Sequence, residues 1–384
     1  RMAGGLNSFA LLAIPLFILS GQLMAQGGIA RRLSEFSKAM IGMVPGGLAF
    51  VNVISCTLFG AISGSSIAAT TAVGSFMIPE MKKEGYDSNF AAAITVTSAT
   101  TGLLIPPSNT LIVYEVASGG VSLAALFVAG YVPGILISIA TIIVCAIYAR
   151  RHNFPAGERV PARVAMKYTV AALPSLFLIV LVIGGILAGI FTATEAGAIA
   201  VLYALLLSAV VYREIGFADI ASICLKAAQT TAIVMFLIAA SIAMSWILAY
   251  ENIPAIVAET LVGISDNPIV ILLLINIVLL LVGIFMDMTP AVLIFTPIFL
   301  PVAVELGMSP LHFGIMLVLN LCLGLCTPPV GTILFVGCAL AKTTIDRMVR
   351  PMMPMYAAMF VVLMLITYIP ELSEGLPRFF GLID

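Results

Sequence analysis

Four short polar segments interrupt long apolar runs of the chain, and they carry the side chains that could bind a ligand. Residues 63–66 and 286–289, here named the first and second tip, contain hydroxyls and one carboxylate. Residues 106–110 and 327–331, named the first and second break, each contain a double proline. Proline removes backbone N–H donors and so frees carbonyls of the preceding turn. Such carbonyls, with hydroxyl and amide oxygens, suit Na⁺, and helix N-termini beside them attract an anion.

The pairing of each tip with one break predicts two sodium sites and a shared anion site. The first sodium site is predicted to comprise Ser63, Gly64, Ser65, Ser66, Ser108 and Asn109. The second is predicted to comprise Asp287, Met288, Thr289, Thr327, Pro328 and Gly331. Substrate contacts are predicted for Ser65, Ser66, Asn109, Thr110, Thr289 and Val330. Two interpretations of Asp287 stay open: a cation ligand, direct or through water, or a cap for the helix that follows.

The composition places these segments in a membrane protein. Hydrophobic residues make up 62% of the 384 residues and charged residues 9%, against roughly 25% charged residues in soluble domains. The apolar runs do not alternate with polar residues, which excludes a β-barrel. A net charge of −1 provides no basic face for nucleic acid. Neither a Walker A motif nor a paired nucleophile and base occurs, so we expect no ATP hydrolysis and no other enzymatic activity.

Apolar runs of about 20 residues predict eight membrane crossings, all of them helices. The crossings are residues 9–26, 88–117, 122–150, 168–190, 192–212, 229–250, 310–340 and 351–370. The two breaks interrupt 88–117 and 310–340, so these crossings are predicted to be discontinuous helices. Residues 46–79 and 268–302 each hold a tip between two short apolar halves and are predicted to be re-entrant hairpins. Unwound backbone at membrane depth needs protein or a watery cavity around it.

An internal repeat relates the four segments. Pro106 and Pro328 lie 222 positions apart, as do Gly85 and Gly307, and the same shift lays the first tip on residues 285–288. Serine-rich helix segments often serve only for packing, but recurrence in both halves favours a binding role. An odd number of crossings separates equivalent spans. The halves are therefore predicted to be inverted in the membrane, the arrangement typical of secondary transporters.

The repeat predicts four regions of the chain. The regions are 1–45, a scaffold helix and a cytoplasmic arm helix; 46–150, the first half of a transport domain; 151–265, scaffold spans and a periplasmic arm helix; and 266–384, the second half of the transport domain. The shift also places counterparts of 168–212 ahead of Arg1, so two further helical segments are expected there. The basic loop 150–167 is placed in the cytoplasm. This orientation leaves only Arg1 and Arg378 of the 17 Lys and Arg residues outside.

Several runs of the sequence resemble those of a known family. The runs are LLAIPLFILS from Leu11, FGAISGSS from Phe59, FTATEA from Phe191 and CTPPVG from Cys326. In this order, over nearly the whole chain, they resemble the large membrane subunit of tripartite ATP-independent periplasmic (TRAP) transporters, in the DctM-like family. The resemblance implies an elevator-type secondary transporter of the bacterial inner membrane, which takes up organic acids on a Na⁺ gradient.

The resemblance also implies two protein partners, a small four-helix membrane subunit and a periplasmic substrate-binding protein. Asn109 departs from the family, in which a hydrophobic residue or proline more often follows Pro-Pro-Ser, and resembles the motif of divalent-anion/Na⁺ symporters. A stand-alone symporter that needs no binding protein is therefore the alternative interpretation. Four-carbon dicarboxylates, sialic acid and other sugar acids all fit as the substrate.

Overall fold

In a computed structural model, the described part of the chain is 9–152, 154, 156–157, 160–265 and 267–383. Arg1, and Arg159 of the predicted cytoplasmic loop, lie outside it. Seventeen α-helices occupy this part. They are α1 (Ala13–Gln26), α2 (Ile29–Ile41), α3 (Gly47–Ser63), α4 (Ser66–Lys83), α5 (Ser88–Thr101), α6 (Asn109–Ser118), α7 (Leu123–His152), α8 (Ala162–Leu187), α9 (Ala193–Leu205), α10 (Phe217–Tyr250), α11 (Ile253–Ile264), α12 (Pro268–Phe285), α13 (Met288–Glu305), α14 (Pro310–Leu325), α15 (Thr332–Ala341), α16 (Ile345–Tyr368) and α17 (Glu371–Phe379).

Seven of these helices are long and apolar enough to cross a membrane. They are α7, α8, α9 with the π-helical turn Leu206–Val211 that continues it, α10, α12, α13 and α16. The bent pair of α1 and α2, at 66°, gives an eighth candidate. The predicted all-α, multi-pass architecture is confirmed. The two crossings predicted to be discontinuous are each a pair of shorter helices, α5 with α6 and α14 with α15.

One helix begins earlier than its apolar run. The crossing predicted at 229–250 starts at Phe217, because the Asp219 carboxylate accepts the N–H of Gly216 at 2.9 Å and so caps the helix. Asp219 and Lys226 are both exposed on α10. A charged residue on an exposed helix face does not interrupt the helix, and the hydropathy pattern alone therefore placed the start too late.

The sequence patterns do not predict α17. This helix has nine residues and contains Pro377, so it is too short for the pattern of a span. It packs on α7 and α14, and its Glu374 accepts a hydrogen bond from the Ser309 hydroxyl at the start of α14.

Helix bounds in the two halves follow the predicted shift of the sequence. Helices α4 and α13 both begin and end 222 positions apart, at Ser66–Lys83 and Met288–Glu305. Gly85 and Gly307, which follow them, have φ angles of +85° and +87°. Both double prolines, in the first and the second break, contain a cis peptide bond.

The core of the molecule is built on close helix crossings. Helix α3 crosses α5 where Gly60 meets Gly102, and a Cβ atom on Gly60 would stand 2.8 Å from the Gly102 Cα. Helix α12 crosses α14 at Gly283 and Gly324 in the same way, since a Cβ atom on Gly324 would stand 2.5 Å from the Gly283 Cα. Only glycine allows backbones to approach this closely. Residues 90–101 of α5 and 311–325 of α14 are all buried.

Contacts also run between the halves. Helix α4, which follows the first tip, packs on α15, which follows the second break. Helix α13, which follows the second tip, packs on α6, which follows the first break. These two contacts are equivalent under the shift of 222. At the centre, the Cys322 thiol lies 3.4 Å from the Thr100 carbonyl oxygen, and these two residues occupy equivalent positions of the two halves.

Helix α1 lies outside this core, against α9 and α10. The bend between α1 and α2 is fixed by Arg32, whose guanidinium donates to the Gly28 carbonyl at 3.0 Å and lies 3.0 Å from the Glu214 carboxylate. The same guanidinium lies 3.8 Å from the centre of the Tyr212 ring. These contacts join α2 to the segment between α9 and α10.

Candidate substrate and ion site

The two tips meet at one cavity of about 220 Å³. It lies between the core helices and the outer helices α1 and α10. The predicted site residues that line it are Ser63, Gly64, Ser65, Ser66, Asn109, Thr110, Asp287, Met288 and Thr289. Residues of both halves therefore form a single chamber. The predicted sodium sites paired each tip with its own break, whereas the predicted anion site drew on both halves.

The first tip is a helix end followed directly by a helix start. Gly64 ends α3 with φ of +60°, and its N–H donates to the Gly60 carbonyl at 2.8 Å. This left-handed conformation favours glycine. Ser65 begins α4 as its N-cap, with its hydroxyl accepting the Ala68 N–H at 3.3 Å. The N-terminal residues of α4, and the partial positive charge of their free N–H groups, thus line the cavity.

The first break lies directly against the first tip. A Cβ atom on Gly64 would stand 3.2 Å from both the Asn109 amide nitrogen and the Pro107 carbonyl oxygen. Ser108 caps α6, because its hydroxyl accepts the Leu111 N–H at 3.4 Å and donates to the Leu103 carbonyl. The side-chain oxygen of Asn109 is buried and has no hydrogen-bond partner. Buried polar atoms normally have a hydrogen-bond partner, so this oxygen is a candidate to bind a ligand.

The second tip begins α13 at the cavity. Asp287 occupies the N-cap position with extended backbone, and its side chain makes no capping hydrogen bond. The Gly331 N–H of the second break donates to the Ile284 carbonyl at 3.2 Å, which joins this break to the helix leading into the tip. Behind it, the Thr332 hydroxyl is buried without a partner. Asp287 is the one charged residue of the described chain that lines the cavity.

Some predicted site residues do not line this cavity. They are Ser108, Thr327, Pro328, Val330 and Gly331. The Ser108 hydroxyl is fully buried and used as a cap, and the Thr327 hydroxyl donates to the Leu323 carbonyl of its own helix at 2.7 Å. The second break therefore lies behind the second tip and not beside the chamber. The predicted substrate contact of Val330 lies outside the observed cavity for the same reason.

Two polar residues of the cavity were missed by the sequence analysis. Gln22 of α1 and Thr230 of α10 line it opposite the tips. Gln22 is a polar residue in an otherwise apolar span, and such a residue indicates a functional site within the membrane. Thr230 carries no comparable signal, because a lone threonine in an apolar helix is common.

The donor atoms around the cavity fit Na⁺ better than a transition metal. In the part of the chain that the structure describes, no three His, Cys, Asp or Glu side chains come together, as a transition-metal site requires. The available ligands are hydroxyl, amide and carbonyl oxygens and one carboxylate, which are hard donors. The partnerless side-chain oxygen of Asn109 is among them.

Glu195 is not part of this site. It completes a capping box at the start of α9, where its carboxylate accepts the Thr192 N–H at 2.8 Å and the Thr192 hydroxyl caps the Glu195 N–H at 3.3 Å.

This architecture defines the class of protein as a multi-pass, all-α membrane protein. The fold is similar to the crystal structure of the YdaH transporter of Alcanivorax borkumensis, with a TM-score of 0.68 and 16% sequence identity over 99% of this chain and 88% of that one. The chain belongs to the family described as tripartite ATP-independent periplasmic transporter, DctM component, which it matches over residues 1–372.

The chain is also similar to individual proteins over almost its whole length. The chain is 53% identical over 381 residues to the uncharacterized protein YgiK of Salmonella typhimurium, with 99% of this chain and 87% of the relative covered. It is 41% identical over 374 residues to the C4-dicarboxylate TRAP transporter large permease protein DctM of Pseudomonas aeruginosa, with 97% and 87% covered. The predicted family is confirmed.

Proposed function

We propose that this large permease carries an organic anion across the bacterial inner membrane into the cell, coupled to Na⁺. One observation carries the proposal: the N-termini of α4, α6 and α13 all open on the same cavity, among neutral oxygen atoms and the single carboxylate of Asp287. Each N-terminus contributes partial positive charge worth about 0.3–1 kcal/mol to a nearby anion. Carboxylates of an organic acid match three such donors.

The partnerless oxygens support the coupling to Na⁺. At the first site, the Asn109 side-chain oxygen is buried beside Gly64 and unpaired. At the second, the partnerless Thr332 hydroxyl follows Gly331, whose backbone is held against the helix that leads to Asp287. A cation at each position satisfies these oxygens. The predicted ligands Thr327, Pro328 and Gly331 belong to this second site.

An elevator motion of the two halves accounts for transport. The repeated helix bounds, and the contacts that the shift exchanges, support inverted repeats with re-entrant hairpins. In this proposal regions 46–150 and 266–384 form the moving transport domain, while 1–45 and 151–265 hold the scaffold and arm helices. Moving both tips together keeps their unwound backbone satisfied, which avoids exposing polar groups to hydrocarbon.

The two further partners are a small membrane subunit and a periplasmic binding protein. Helix α10 supports a membrane partner, since Phe217 is 96% exposed and Phe236 67% exposed. Helices α8 and α9 present similar faces, including Phe177 and Leu202. These faces must contact either lipid or another helix.

Uptake into proteoliposomes tests the proposed function. The chain would be reconstituted with its small subunit and supplied with radiolabelled C4-dicarboxylate, sialic acid or a sugar acid. We expect uptake of one of these only with an inward Na⁺ gradient and only with the binding protein. Uptake that is unchanged when choline replaces Na⁺ would refute the coupling. Na⁺-driven uptake without a binding protein would instead support the stand-alone divalent-anion symporter.

A further inference from the structure

A second cavity, of about 490 Å³, lies away from the tips. It is enclosed by α2, the beginning of α3, the end of α4 and the beginning of α8. Its charged lining residues are Arg31, Glu35 and Lys38 along α2, Glu80 in the last turn of α4, and Glu84 directly after that helix. Helix ends of a multi-pass protein lie at the membrane surface, so this cavity opens at the level of lipid headgroups.

The cavity changes from charged to apolar along its depth. Beyond Glu80, one turn earlier in α4, it is lined by Phe76 and Met77, and on the facing helices by Val51 and Val164. Charged groups at the surface and apolar side chains beneath them are what an amphiphile requires of its site. A small hydrophilic solute would leave this apolar wall unused.

Charges of both signs face the opening. The Lys38 ammonium lies 2.5 Å from the Glu80 carboxylate, and the Arg31 guanidinium lies 3.9 Å from that of Glu35. Within the described chain, Glu84 forms no ion pair. The cavity therefore offers cations to a phosphate group and a free carboxylate to an ammonium group.

One buried hydroxyl in this cavity has no partner. Ser34 of α2 is 4% exposed and lines the cavity, and its hydroxyl makes no hydrogen bond. Ser37, also on α2, instead donates to the carbonyl of Leu33 at 2.8 Å. Because buried hydroxyls are normally paired, the Ser34 hydroxyl indicates a polar atom supplied by an occupant of the cavity.

We propose that this cavity binds a phospholipid with a zwitterionic primary-amine headgroup. Its phosphate lies near Lys38 and Arg31, its ammonium pairs with Glu84, and an oxygen of the phosphate or glycerol ester accepts the Ser34 hydroxyl. An anionic headgroup without an amine would leave the Glu84 carboxylate unpaired beside a second negative charge. A quaternary amine would lose the N–H donors that a carboxylate accepts.

Native mass spectrometry of the delipidated complex of this chain with its small subunit tests the proposal. The protein would be titrated with phosphatidylethanolamine, phosphatidylcholine and phosphatidylglycerol of the same acyl chains. We expect phosphatidylethanolamine to bind at least about fivefold more tightly than the other two. Glu84→Gln should remove most of that preference, whereas Ser34→Ala should weaken the binding of all three lipids, because each carries the phosphate and ester oxygens that accept this hydroxyl. Ser75→Ala and Glu305→Gln, at exposed positions of α4 and α13, should keep it.

Equal binding of the three lipids, tighter binding of phosphatidylglycerol, a preference that survives Glu84→Gln, or lipid binding unchanged by Ser34→Ala would overturn the proposal. So would glycerophosphoethanolamine binding as tightly as the lipid, because the site would then take a soluble solute. Circular dichroism of the variants confirms that they remain folded. Uptake is not the readout, so either outcome leaves the proposed transport function standing.

Discussion

A Cβ atom on Gly21 of α1 would stand 2.6 Å from the carbonyl oxygen of Ser63 at the first tip. The outer helix and the tip therefore touch backbone to backbone, at the edge of the cavity that Gly21 and Ser63 both line. This contact sets how closely the predicted scaffold approaches the predicted transport domain. It can exist only with glycine at position 21.

Gly21→Ala should therefore separate α1 from the first tip. Overpacking of a close contact costs about 1–3 kcal/mol, so we expect Na⁺-driven uptake to fall roughly tenfold. Gly184→Ala is the matched control, because nothing lies within 4 Å of a Cβ atom there. Wild-type uptake by Gly21→Ala in proteoliposomes would show that the contact does not matter.

Asn109→Ala should weaken Na⁺ binding at the first site. Removal of the partnerless amide oxygen deletes one ligand, at about 1–3 kcal/mol, and the Na⁺ concentration for half-maximal uptake should rise roughly five- to hundredfold. Ser66→Ala should act in the same direction. Ser75→Ala, whose exposed hydroxyl bonds only within α4, serves as control. The assignment fails if Na⁺ dependence is unchanged in Asn109→Ala.

Gln22→Ala and Thr230→Ala should weaken binding of the anion and leave binding of Na⁺ unchanged. Both residues line the cavity from the outer helices and lie apart from the two breaks. We expect KM for the anion to rise about ten- to hundredfold, because a lost hydrogen bond to a charged group is worth about 1.5–3 kcal/mol. The Na⁺ dependence should stay as in the wild type. A variant that shifts the Na⁺ dependence as strongly as KM would contradict this division of roles.

Much of the fold follows from the sequence because hydropathy and proline are strong signals. The double prolines at 106–107 and 328–329 predicted where helices end, and the structure ends α5 and α14 before each of them. Gly85 and Gly307, which the shift of 222 aligns, both have positive φ angles after α4 and α13. These features depend on the backbone conformations that proline and glycine favour, and these can be predicted from the residue type alone.

The arrangement of the site depends on packing that no local pattern contains. Asn109 and Thr110 join the cavity, whereas Val330 and Gly331 lie behind the second tip. The shift of 222 treats the two breaks alike. Their different surroundings come from the outer helices α1 and α10, which approach the two tips from one side. The contribution of Gln22 could be found only once that approach was known.

Crosslinking of the first tip to α1 tests most directly the central claim that the tips carry the cavity past the outer helices. Gly21→Cys with Ser63→Cys would be oxidised to a disulfide, with the exposed Cys224 replaced by alanine. The control is Leu16→Cys with Gly197→Cys, where the two Cβ positions of α1 and α9 stand 3.0 Å apart within the predicted scaffold. Because a side chain at position 21 lowers uptake by itself, each oxidised pair is compared with its own reduced form. We predict that oxidation abolishes the Na⁺-driven uptake that the reduced 21–63 pair retains, reversibly with reductant, and leaves the uptake of the second pair unchanged. Equal uptake by the oxidised and reduced forms of the 21–63 pair would contradict the account.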